Sequence, residues 1–169
     1  MAQSRREGME NEVVELLKKY KLTITTAESC TGGLIAAALV NVAGASDVLN
    51  EGYITYSDGA KERLLHVKPE TLEKHGAVSE QTAIEMAKGA ALAAHADVAL
   101  SATGIAGPDG GTQEKPVGLV YIGCYVEGHI SVLECEFHGT RMENRLNTVE
   151  SALTLARDEL LTYEEKSEK

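Results

Sequence analysis

LTITTAESCTGGLIAAALV, from Leu22 to Val40, is the stretch whose reading decides the fold. Leu22 to Ala27 has the Ile and Thr content of a short strand. Leu34 to Val42 is apolar and long enough for a helix, and Glu28-Ser29-Cys30-Thr31-Gly32-Gly33 joins the two. A strand passing through a glycine loop into an apolar helix is the repeating unit of an α/β domain.

The flanks continue that alternation. Upstream, Val13, Leu16, Leu17 and Tyr20 recur at helical spacing and predict a first helix ending near Lys21. Downstream, Gly52-Tyr53-Ile54-Thr55-Tyr56 predicts a strand, and Ser57-Asp58 supplies an N-cap for a helix from Gly59 to about His66. Pro69 opens another small helix. Ser79 caps a long Ala-rich one whose buried stripe is Ala83, Ala87, Ala90, Ala91 and Ala94. Val98 to Thr103 is a fully apolar strand that runs into the glycine loop Gly104-Ile105-Ala106-Gly107-Pro108-Asp109-Gly110-Gly111. Val117 to Val126 reads as a central strand and Ile130 to His138 as an edge strand, and the short Glu127-Gly128-His129 link pairs them as an antiparallel hairpin. Thr140 and Glu143 form a capping box, after which Met142, Leu146, Val149, Leu153, Ala156 and Leu160 make the stripe of a long docking helix. The pattern predicts a three-layer α/β/α sandwich. Its sheet is mixed, mostly parallel, of about five strands, and ends in the hairpin. One domain spans residues 9–163, with residues 1–8 and 164–169 as flexible tails.

Bulk properties narrow the function. The chain has 169 residues and a formal net charge of -10, which repels a nucleic-acid backbone and argues against a broad basic binding face. Cys30, Cys124 and Cys135 form no CxxC pair and suit a reducing compartment. No apolar signal-peptide core and no membrane-length apolar run occur, so the expected location is cytoplasmic, without membrane attachment. His66, His75, His95, His129 and His138 show neither HxH nor HExxH spacing, so neither a metal nor another cofactor is expected.

In an open α/β sheet, ligands bind at the carboxyl ends of strands, and three loops here lie at such ends. Ser29 has a plain reading as a cap, but a nucleophile beside a helix N-terminus would also find N–H donors and a positive dipole end, with Thr31, Gly32 and Gly33 leaving the backbone accessible. There is no GxSxG elbow. Cys30 is the rival nucleophile, with nothing local to mark it as activated. Lys61 sits at about the third position of its helix. If it is buried beside Ser29, desolvation and the dipole favour the neutral amine that takes a serine proton. Tyr56 is core, substrate contact or proton relay. In the glycine loop, Gly104, Gly107, Gly110 and Gly111 permit close backbone approach to a ligand, and Asp109 either binds a ligand hydroxyl or forms the turn. Neither GxGxxG nor GK[ST] occurs. Arg141, a cation at a helix N-terminus, is well placed only if it shares an anion such as phosphate. Taken singly, each of these residues has a plainer structural reading.

Together, TTAESCTGG (25–33), GYITYSDGAK (52–61), HGAVS (75–79) and GIAGPDGGTQEKPVG (104–118) resemble the ordered motifs of the CinA C-terminal family, over about residues 10–162. The resemblance implies an α/β/α fold, a homodimer, and metal-free hydrolysis of nicotinamide mononucleotide to nicotinic acid mononucleotide and ammonia. It casts Ser29 as catalytic serine, Tyr56 and Lys61 as its partners, and Arg141 as an active-site or phosphate contact. Asp58-Gly59 replaces the family's common Asn-Glu pair, and the glycine weakens the first helical turn before Lys61. Some members carry an N-terminal molybdopterin-binding-like domain; this chain is expected to be a stand-alone deamidase. The alternative is a non-catalytic nucleotide-binding or regulatory module linked to competence or the DNA-damage response.

Overall fold

A computed structural model describes residues 8–169. The elements follow in the order α1 Met9–Tyr20, β1 Ile24–Glu28, α2 Leu34–Val40, a 3-10 turn Ala45–Asp47, β2 Tyr53–Ile54, α3 Asp58–Leu65, α4 Pro69–His75, α5 Glu80–Ala94, β3 Val98–Gly104, β4 Leu119–Val126, β5 His129–Glu136 and α6 Arg141–Ser167. The expected tail at residues 1–7 lies outside the described residues.

The five strands form one sheet in the order β2-β1-β3-β4-β5. β1 lies between β2 and β3 and is parallel to both, whereas β3–β4 and β4–β5 are antiparallel. The sheet is mixed, as expected, but its parallel share is only half of the pairings. The cause is the glycine loop, which returns the chain directly beside β3 instead of crossing over through a helix. The C-terminal ends of β1, β2 and β3 therefore meet on one side.

Strand alternation builds the two core layers. Val98, Leu100 and Ala102 face α1, α2 and α6, together with Val13, Leu17, Ile35, Leu39, Leu153 and Leu160. Ala27 and Ala99 face the other way, packing with Leu65, Val67, Met86, Ala90 and Ala91 from the layer of α3, α4 and α5. Ser101 also points to that second face, where its hydroxyl donates to Ala83 O (2.7 Å) and accepts from Gly123 N (3.1 Å). A polar residue in an apolar strand is thereby satisfied.

Three details depart from the sequence reading. Ala94 is only half-buried, and Met86 completes the α5 stripe instead. On α6 the apolar stripe holds for Leu153, Ala156 and Leu160, but Met142 and Leu146 are each 52% exposed, and Asn144 and Thr148 face inward in their place. Asn144 accounts for this turn of the helix, since its side chain accepts from Gly139 N (2.9 Å) and donates to Ala106 O (3.0 Å). The helix also continues past residue 163, where Glu164 pairs with Lys19 of α1.

Gly89 on α5 lets the end of α3 approach closely. A Cβ there would lie 1.8 Å from Leu65 O. Gly89→Ala should therefore destabilise the fold by about 3 kcal/mol, through overpacking against backbone that cannot give way. Urea denaturation checks this, and an unchanged midpoint would show that α3 shifts freely.

Candidate active site

Ser29 follows the last residue of β1, and its backbone N–H donates to Ala102 O on β3 (2.9 Å), which fixes it to the sheet. Lys61 comes from α3. Ser57 caps that helix by accepting from Ala60 N (3.1 Å), and the first turn begins at Asp58. The first turn stays closed across Asp58-Gly59, with Lys61 N donating to Ser57 O (3.1 Å), and Lys61 points inward. The Lys61 side chain is 1% exposed. Its Nζ donates to Ser29 Oγ (3.0 Å) and to Thr55 O (2.8 Å), just past β2. Burial lowers the amine below the ordinary lysine range, against the opposing pull of the nearby Asp58 carboxylate. The sequence expectation that Lys61 meets Ser29 holds in this geometry.

Cys30 does not compete, because burial pushes its thiol up to about 11 and keeps it protonated near neutral pH. Cys30, Cys124 and Cys135 are all free thiols.

Ser29 and Lys61 open into a cavity of about 330 Å³ that Tyr56, Asp58, Gly104, Gly107, Asp109, Gly110 and Arg141 also line, with Ala77 and Val78 from the loop before α5. That volume suits a small molecule. Arg141, at the start of α6, donates through Nη1 to Gly107 O (2.8 Å) and through Nη2 to Tyr56 OH (3.2 Å). Tyr56 is 65% exposed at the rim and bonds to Arg141, not to Ser29 or Lys61. It is therefore placed to contact a ligand rather than to relay the serine proton.

Thr31, Gly32, Gly33 and Gly111 are not among the residues lining this cavity. Thr31 is fully buried. Gly32 and Gly33 adopt φ of +57° and +103°, with Arg145 and Ile54 as the nearest neighbours of a built Cβ. Gly111 packs on Val117. These residues shape the loops from behind.

Sequence reasoning missed Glu28 and Arg145. Glu28 is 1% exposed, and its carboxylate accepts from Ile35 N (2.8 Å) and Ala36 N (3.1 Å). The amide donors expected at the start of α2 are thus already taken by a carboxylate. Arg145 donates from Nε to Cys30 O (2.9 Å) and from Nη2 to Thr31 O (3.0 Å). Its place one helical turn after Arg141, on the same face, was the available signal.

The sequence profile of the CinA C-terminal domain matches residues 6–160 of the chain. The chain belongs to the CinA family. It is 57% identical over 155 residues to a CinA-like protein of Kosmotoga olearia, covering 92% of this chain and 38% of that protein. It is 52% identical over 154 residues to a CinA-like protein of Dictyoglomus thermophilum, covering 91% of this chain and again 38% of the relative. The chain thus spans well under half of the length of these CinA-like relatives. Among solved structures, a CinA superfamily protein from Klebsiella pneumoniae superposes with a TM-score of 0.88 at 36% identity, covering 91% of this chain and 96% of that one. The competence/damage inducible protein CihA from Agrobacterium tumefaciens gives 0.83 at 42% identity, covering 92% and 96%. Both likenesses extend over more than nine-tenths of each chain. No described helix is long and apolar enough to cross a membrane.

Proposed function

We propose that the chain is an amidohydrolase that converts nicotinamide mononucleotide to nicotinic acid mononucleotide and ammonia. The observation that carries this reading is the buried Lys61 amine, lowered in pKa and hydrogen-bonded to Ser29 Oγ at the floor of a small-molecule cavity. A binding module needs the cavity but has no use for a nucleophile paired with a desolvated base.

In this mechanism Ser29 Oγ attacks the carboxamide carbon as its proton passes to Lys61 Nζ. The tetrahedral intermediate collapses, its C–N bond breaks, and the proton on Lys61 leaves with the departing nitrogen as ammonia. Water then adds to the Ser29 ester, again giving a proton to Lys61, and the acid is released as Ser29 is restored. Arg141 keeps guanidinium N–H groups beyond those bound to Gly107 and Tyr56, and these suit the 5′-phosphate. Asp109 suits a ribose hydroxyl. The direct test is ammonia release from nicotinamide mononucleotide by purified protein. Tight nucleotide binding without ammonia would favour the regulatory-module reading.

Arg141→Ala should raise KM for nicotinamide mononucleotide about tenfold, since a hydrogen bond to a charged group contributes about 1.5–3 kcal/mol. Binding of free nicotinamide, which has no phosphate, should hardly change. Calorimetric titration with both ligands decides, and equal losses for the two would remove Arg141 from the phosphate site.

A further inference from the structure

Arg145 lies outside the cavity, yet its guanidinium is committed to the loop that carries Ser29. Two of its N–H groups hold the successive carbonyls of Cys30 and Thr31 at 2.9 and 3.0 Å, and among the described residues it forms no salt bridge with a carboxylate. A cation directed at backbone carbonyls instead of a carboxylate keeps its charge for the loop.

The direction of those carbonyls fixes the direction of the amides. Across a planar trans peptide the C=O of one residue and the N–H of the next point opposite ways, so the gripped Thr31 carbonyl sets the direction of the Gly32 N–H, and the Ser29 carbonyl that accepts from Gly32 in turn sets the direction of the Cys30 N–H. The same loop is a turn closed by Gly32 N donating to Ser29 O (3.1 Å). Within that turn the Cys30 N–H has no acceptor among the hydrogen bonds of the described residues, and Cys30 lines the cavity, whereas Thr31 is buried behind it. Glu28 already holds Ile35 N and Ala36 N, so the start of α2 supplies neither of those donors to a reacting group. The Cys30 amide next to Ser29 is the one left for an oxyanion.

Resting on the amidohydrolase reading, we propose that Arg145 is a positioning residue: by gripping the Cys30 and Thr31 carbonyls it holds the turn that Gly32 N closes on Ser29 O, and so aims the Cys30 amide that receives the oxyanion formed when Ser29 attacks. It acts through the backbone and touches no substrate. A donor of this kind is worth on the order of 10²- to 10³-fold in turnover when removed outright, and one left in place but misaimed loses less.

The experiment compares wild type, Arg145→Ala and Arg145→Lys, with folding followed by circular dichroism and thermal melting. Arg145→Ala is expected to lower kcat about thirtyfold to a hundredfold while KM for nicotinamide mononucleotide stays within about twofold. Arg145→Lys, which keeps the charge without the two-pronged grip, should fall between. Added guanidinium ion should restore part of the Arg145→Ala rate, which a purely architectural role would not allow. A second readout uses a fluorophosphonate, whose phosphorus bonds to Ser29 Oγ as fluoride leaves and the serine proton passes to Lys61. Intact mass should show slower labelling in Arg145→Ala by a similar factor. An unchanged kcat and labelling rate in a folded Arg145→Ala protein overturns the proposal, as does a loss confined to KM. If wild type releases no ammonia but labels faster at Ser29 than Arg145→Ala, the substrate assignment fails and the positioning role stands. If wild type neither releases ammonia nor labels, both fail.

Discussion

Ser29→Ala and Lys61→Ala should each lower kcat for ammonia release by several orders of magnitude, on the order of 10⁴, and the double substitution should be little worse than either single one. The reason is geometric. Lys61 Nζ lies 3.0 Å from Ser29 Oγ, so removing either partner abolishes the same proton transfer, and nothing remains for the second change to remove. The Ser29→Ala protein should stay folded, because Lys61 keeps its bond to Thr55 O (2.8 Å) and the backbone of residue 29 stays tied to Ala102 O. Steady-state assays of the four proteins complete the cycle. Retained turnover in folded Ser29→Ala would falsify the nucleophile assignment and leave an activated water. Losses that multiply would instead place Lys61 in substrate binding.

Legibility in the sequence followed how local each determinant is. The Thr140–Glu143 capping box, the Ser57 and Ser79 caps and the hairpin around Glu127-Gly128 are all set by residues within a few positions of one another, and each appears as read. The Ser29–Lys61 contact was foreseen because three strand ends of one sheet bring distant loops to one edge. Glu28 and Arg145 escaped because their partners are not side chains with a recognisable pattern. Glu28 bonds backbone amides seven and eight residues on, and Arg145 bonds carbonyls more than a hundred residues away. The stripe of α6 was misjudged at Met142 and Leu146 for a related reason. Asn144 turns inward to hold Ala106 O and Gly139 N, and periodicity cannot anticipate a helix rotated by one polar side chain. Thr31, Gly32 and Gly33 suggest an accessible backbone because glycine permits close approach, whereas here positive φ at both glycines serves the turn itself.

Lys61→Met should remove activity as thoroughly as Lys61→Ala, on the order of 10⁴ in kcat, while changing how stability responds to pH. Methionine occupies similar length without a charge, so the buried site remains filled. In wild type the Lys61 amine has an ordinary value near 10.5 in the unfolded chain and a lower one when folded, chiefly through burial. Above about 10.5 the amine is neutral in both states, and burial carries no ionisation penalty. As pH falls below that, the unfolded chain binds a proton that the folded protein does not, so folding stability declines, by at most about 1.4 kcal/mol per pH unit. Below the folded value both states are protonated and the penalty stays constant. Methionine has no such term. The stability of Lys61→Met relative to wild type should thus be highest near neutral pH and should shrink steadily as pH rises toward 10.5. Urea denaturation of both proteins at several pH values between 7 and 10 measures the difference. The same folded-state titration should govern catalysis, because only the neutral amine accepts the Ser29 proton: wild-type kcat/KM should rise with pH on its acid limb, with the midpoint at which the stability difference begins to change. Parallel stability curves for the two proteins would mean that Lys61 titrates alike folded and unfolded, and the desolvated-base mechanism would then lose its footing even if Ser29 proves essential.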